Sequence, residues 1–135
     1  MTSQNVQLAE RIYLEIEARG IEAVLDLFDA DVEVADSGCP PGYTPVGHDC
    51  VRAHFARFTD NFEEIHFRPD GLWHEGDKVV VELLVGGRGL SGAETWGKIF
   101  HVHTLRAGRC VRLEVLRGRE DAMIAAGLSD TSPPV

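Results

Sequence analysis

Apolar side chains at Ala9, Ile12, Tyr13 and Ile16 recur at helical spacing within residues 4–19, which predicts an amphipathic helix with one buried stripe. Gly20 supplies its stop, and a second stripe follows at Ile21, Val24, Leu25 and Phe28. The period then falls to two. Val32 and Val34 alternate with Glu33 and Ala35, and Asp36 continues the parity of the valines. Residues 37–46 read as a loop from their Pro and Gly content. A third helix is predicted from about 48 to 61, with Val51, Phe55, Phe58 and Phe62 as its stripe and Asp49 in its first turn. Strands are predicted near 63–74, 78–86, 94–105 and 110–117. They are joined by Glu75-Gly76-Asp77, a Gly-rich stretch and Arg106-Ala107-Gly108, turns short enough to make the neighbours antiparallel. Arg119 to Ala126 predicts a short last helix, ended by Gly127 and Leu128.

Helices followed by an antiparallel sheet make an α+β layout, with the helices on one face. A single domain over residues 1–128 accounts for the pattern, and 129–135 read as a disordered tail. In strand 110–117, Val111, Leu113 and Val115 are expected to form the core face, with Arg112 and Glu114 outward. Strand 78–86 is apolar at both parities except for Glu82, so both its faces should be covered, a dimer partner being one possible cover. The 13 basic against 22 acidic residues give a net charge of -9, which argues against nucleic-acid binding. No apolar run reaches the roughly 18 residues of a membrane helix, and the N-terminus lacks a signal-peptide pattern. Cys39, Cys50 and Cys110 are odd in number and fit no zinc spacing. The expectation is a reduced, cytoplasmic protein with neither a membrane nor a nucleic acid as partner.

Several side chains stand out as chemistry. Asp36 shares a strand face with two valines, where burial would raise its pKa and make it a useful base, unless it caps the following loop instead. Tyr13 lies on the apolar face of the first helix, as a hydrogen-bond donor or as a packed core residue. Glu82 is a carboxylate between Val80 and Leu84, and Arg117, continuing the Val111-Leu113-Val115 face, is its candidate partner or an anion binder. His101 and His103 form a His-x-His pair with metal-ligand spacing, but no third ligand is assignable and their parity reads as outward. His48 and Tyr43 flank the loop at 37–46, His48 as a general acid or a structural helix-start residue. Gly87-Arg88-Gly89-Leu90-Ser91-Gly92 matches G-x-G-x-x-G, yet a strand follows where a dinucleotide site needs a helix.

The order of elements resembles the nuclear-transport-factor-2-like fold, in its SnoaL-like and ketosteroid-isomerase-like branch. The similarity covers about residues 6–128 and is carried by several segments. These are Ile21–Phe28 leading into Asp31-Val32-Glu33-Val34, Gly47-His48 opening the third helix, Gly76–Val81, Leu105–Leu113 and Arg119–Leu128. The resemblance implies a cone-shaped, curved antiparallel sheet wrapped around N-terminal helices, a cystatin-like α+β barrel, and commonly a homodimer. It places Asp36 where ketosteroid isomerases keep the proton-moving aspartate, and Tyr13 where they keep the enolate-binding tyrosine. It puts Glu82 on the concave face, as a second acid or base. The isomerases' second acid falls on Phe100, and their other pocket tyrosine on Phe55, beside His54, which points away from steroid isomerisation. The implied function is a cofactor- and metal-independent isomerase, cyclase or lyase of the polyketide-cyclase kind. Its ligand would be a hydrophobic carbonyl compound, held by Phe55, Phe58, Val80, Leu84, Phe100, Val102, Leu113, Val115, Arg117 and His48. The alternative is a non-catalytic ligand-binding or accessory protein of the same fold.

Overall fold

A computed structural model describes residues 3–36, 45–129 and 131–135. Helix α1 spans Gln4–Arg19, capped by the Ser3 hydroxyl, which accepts from the Val6 N–H, and stopped at Gly20, whose φ of 89° suits glycine. The second stripe forms a 3₁₀ helix over Ile21–Leu27 and hands directly into strand β1, Phe28–Asp36. Helix α2 covers His48–Thr59. Strands β2 (Phe62–Glu75), β3 (Lys78–Gly89), β4 (Glu94–Arg106) and β5 (Arg109–Leu116) follow, and α3 (Arg119–Ala125) closes the order.

The five strands make one curved sheet in the order β1-β5-β4-β3-β2. Consecutive strands from β2 to β5 pair antiparallel as expected, whereas β1 joins β5 in parallel. That pairing closes the sheet against its own N-terminal segment, which no hairpin count reveals. Helices α1 and α2 lie on the inner face, where Val6, Ala9, Ile12, Val51 and Phe55 pack against Val34, Val81, Leu83, Leu113 and Val115. Burial of such an apolar stripe is the main stabilising term for both layers.

The outer face has its own small core. Trp73, Val80, Phe100 and Val102 pack beneath Ala122, Met123 and Ala126 of the last helix and its end. The double-sided apolar pattern of β3 is therefore covered from within the chain by α3, which ends at Gly127 with Leu128 N–H bonded to Met123 O at 2.8 Å. In the segment read from the sequence as a loose tail, Ser132 O accepts from Trp73 Nε1 at 2.9 Å and Val135 N–H donates to Leu72 O at 2.6 Å.

Two backbone irregularities redirect side chains. Between β4 and β5 the register passes from Thr104 opposite Arg112 to Leu105 opposite Cys110, so Val111 is the extra residue of a bulge. Cys110 thereby turns into the inner core with Leu113 and Val115, and Val111, expected on that face, is only partly buried. In β3, Gly87 has φ 146°, and a Cβ there would lie 2.2 Å from Glu64 O. Only glycine lets β2 approach so closely at this bend.

Candidate functional site

The inner face carries a buried polar cluster. Alternation from Ile99 brings His101 and His103 of β4 inward, 0% and 1% exposed, directly beneath Tyr13 of α1. The Tyr13 hydroxyl lies 2.6 Å from His101 Nδ1 and 2.6 Å from His103 Nε2. Beyond His101, its Nε2 meets His54 Nε2 of α2 at 3.0 Å. On the other side, His103 Nδ1 lies 3.4 Å from Cys110 Sγ, which donates to Arg112 O at 3.2 Å. His54 Nδ1 is buried and has no hydrogen-bond partner among the described residues.

Burial sets the charge state of the whole cluster. It holds His54 down at about 4, with Asp36 opposing and Arg57 assisting the shift. It holds His103 down at about 3, and His101 well below the usual imidazole range with His54 and His103 adding to the effect. The same desolvation raises Tyr13 well above an ordinary phenol and pushes Cys110 up to about 12. At neutral pH the cluster is a run of neutral imidazoles, a phenol and a thiol.

Asp36 belongs to the same face. It stands opposite Val115, and Val115 stands opposite His101, so the three share one row across the sheet, with roughly 10 Å separating the outer two backbones. The Asp36 side chain is 7% exposed and takes a 2.5 Å ion pair from Arg57 Nη1 of α2. Its charge is felt at His54, one turn before Arg57. Phe55 and Phe58 each make an edge contact with His54, and Phe67 makes an edge contact with both of those phenylalanines. A cleft of about 150 Å³ opens between α1, α2 and β2, lined by Ile16, Ile21, Phe55, Ile65 and Phe67 among others.

Several expected site residues lie elsewhere. Val80, Phe100 and Val102 belong to the outer core under α3, and Glu82 and Leu84 share their parity. Glu82 pairs with Lys98 at 2.7 Å on that outer side. The reason is that both sheet faces are covered, so the more apolar parity of β4 faces α3 and the histidine parity faces the helices. Arg117 is exposed beyond the end of β5 and does not meet Glu82. His48 Nε2 is 2.9 Å from Phe28 O, tying the start of α2 to β1. Leu113, Val115, Phe55 and Phe58 are inner-face residues. Tyr43 lies outside the described residues. The histidines at 101 and 103, read as outward, are among the most buried residues. His54 was missed as a site residue, although it sits three residues after Val51 and four before Phe58, on the buried side of the helix.

The curved five-stranded sheet with its N-terminal helices is the nuclear-transport-factor-2-like fold, a small-molecule-binding fold. The SnoaL-like domain family matches residues 9–113, and the chain belongs to that family. An NTF2-like protein of unknown function from Burkholderia pseudomallei is 25% identical, with a TM-score of 0.70 over 93% of this chain and 98% of that one. TerC, co-crystallised with polyporic acid, is 23% identical, with a TM-score of 0.69 over 92% and 98%. A putative SnoaL-like polyketide cyclase from Jannaschia sp. CCS1 is 19% identical, with a TM-score of 0.69 over 96% and 94%. No curated protein matches the chain. Among the described residues, no helix is long and apolar enough to cross a membrane.

Proposed function

We propose that this chain is an acid–base enzyme acting on a small hydrophobic carbonyl compound, as an isomerase, cyclase or lyase. The observation that carries the reading is the pairing of an almost buried carboxylate, Asp36, with a buried and unpartnered imidazole nitrogen, His54 Nδ1, within one electrostatic neighbourhood. In this mechanism Asp36 takes the proton from the carbon beside the carbonyl and returns it, while Arg57 holds the carboxylate. When the substrate is in its enol form, its O–H donates to the bare His54 Nδ1, which takes that proton as the carbon recovers one from Asp36. Such a step needs no cofactor. Phe55, Phe58 and Phe67 bind the carbon skeleton. Tyr13, whose hydroxyl is engaged by two histidines, acts through His101 and His54 rather than on the substrate. Glu82 has no part in it.

The test is exchange of solvent deuterium into a benzo-fused cyclic ketone such as 2-tetralone, followed by proton NMR. The wild type should accelerate exchange, and Asp36→Asn should lose on the order of 100-fold or more. Exchange no faster than in buffer, or an Asp36→Asn variant as fast as wild type, refutes the mechanism. A second reading, a ligand-binding protein without turnover, is favoured by one observation. All three groups expected to act on substrate, Asp36, Tyr13 and Glu82, are engaged by other side chains. A ligand recovered unaltered from a protein that never accelerates exchange supports it. Homodimerisation and a cytoplasmic location complete the proposal, and sedimentation equilibrium reads the former.

A further inference from the structure

The buried cluster has a direction. His54, His101, Tyr13, His103 and Cys110 each carry one transferable proton when neutral, and they make five successive contacts ending on Arg112 O. A carbonyl only accepts, so Cys110 S–H points to Arg112 O. Cys110 Sγ then accepts from His103 Nδ1–H, which leaves His103 Nε2 bare to accept the Tyr13 O–H. The Tyr13 oxygen in turn accepts from His101 Nδ1–H, and His101 Nε2 accepts from His54 Nε2–H. Every contact is satisfied once, with no proton left over. The opposite direction leaves the Cys110 contact to Arg112 O without a proton. The end of the run is His54 Nδ1 as a bare lone pair, buried without a partner among the described residues.

We propose that this one-way run of hydrogen bonds, anchored by Cys110 on a backbone carbonyl, fixes His54 as an acceptor and so selects ligands that present an O–H donor, such as phenols or enols. The inference deepens the proposed function and rests on its placing the ligand against His54. An enolic hydroxyl satisfies the orphaned nitrogen, whereas an ether or hydrocarbon of the same shape leaves it bare, and that asymmetry is where specificity is largest. Tyr13, His101, His103 and Cys110 are then positioning residues, acting only through the tautomer they impose on His54.

Long-range proton–nitrogen NMR spectra of the histidine rings test the direction without any turnover. Wild type should show His54 as the Nε2–H tautomer with Nδ1 bare. Cys110→Ala, which removes the anchor, should give a mixture of His54 tautomers, and Cys110→Ser, which donates and accepts at the same place, should restore the single form. A wild-type His54 protonated on Nδ1, or a Cys110→Ala spectrum unchanged at His54, overturns the inference. The ligand class is read by titrating 2-naphthol, 2-methoxynaphthalene and naphthalene against the same resonances. 2-Naphthol should bind about tenfold more tightly than either of the others, and His54→Phe should abolish the difference. Equal affinities, or no response to 2-naphthol at its solubility limit, overturn the selection. Loss of exchange activity in Asp36→Asn with the His54 tautomer intact bears on the catalytic reading alone.

Discussion

Lowering the pH should unfold this protein through its inner histidines. His54 stands at about 4 and His103 at about 3 in the fold, against roughly 6.5 for a free imidazole. Their folded pKa values are depressed, so the unfolded chain binds more protons throughout the interval between, and stability falls as pH falls. The contribution is complete above about pH 6.5 and is lost progressively towards pH 4 and below. Between pH 7 and 5, each histidine should cost about 2 kcal/mol, at about 1.4 kcal/mol for each pH step over roughly one and a half steps. His101 is shifted in the same direction, which brings the loss to about 4–6 kcal/mol, a large share of the roughly 5–15 kcal/mol of a typical domain. His66 works the other way, its pKa raised by Glu17 and Glu64, but it is only partly buried and its pairing is screened by solvent. Urea unfolding at pH 7, 6 and 5 measures the slope directly. His103→Gln should reduce it from about three protons to about two. A wild-type loss of less than about 1 kcal/mol between pH 7 and 5 would refute the placement of these rings as buried and neutral.

Tyr13→Phe keeps the ring and removes only the hydroxyl, leaving two buried imidazole nitrogens unsatisfied; it should cost about 2–5 kcal/mol in urea unfolding, and a cost under about 1 kcal/mol would show that the hydroxyl does not bridge them. Glu82→Gln should leave deuterium exchange unchanged and shift stability by less than about 1 kcal/mol, since Lys98 is half-exposed and the pair sits on the outer face. A collapse of exchange in that variant would return Glu82 to the site.

Much of the architecture was legible because local periodicity is strong where one face of an element is buried. The stripe of α1, the alternation of β1 through Asp36, and the turns at Gly76 and Gly108 all follow from spacing and turn chemistry that act over a few residues. So does the end of α3 at Gly127, whose φ of 76° and backbone bonds form a helix stop. The parity of Asp36 was legible for the same reason, because the valines at 32 and 34 specify the inner face by themselves.

Which face of β3 and β4 is the inner one was settled by packing on both sides of the sheet. Phe100 and Val102 are the more apolar parity, and an isolated strand would bury them against the larger core. Here α3 brings Met123 across the other side, so both parities are buried and hydropathy no longer distinguishes them. His101 and His103 are acceptable inside only because Tyr13, His54 and Cys110, from α1, α2 and β5, arrive to satisfy their nitrogens. Each of those partners is dozens of residues away or turned inward by a bulge, and a hydrogen bond between distant segments leaves no periodic trace in either. Local spacing was enough for the elements and for the face of Asp36; the convergence of α1, α2 and β5 on the two histidines of β4, and with it the candidate site, exists only in the folded sheet.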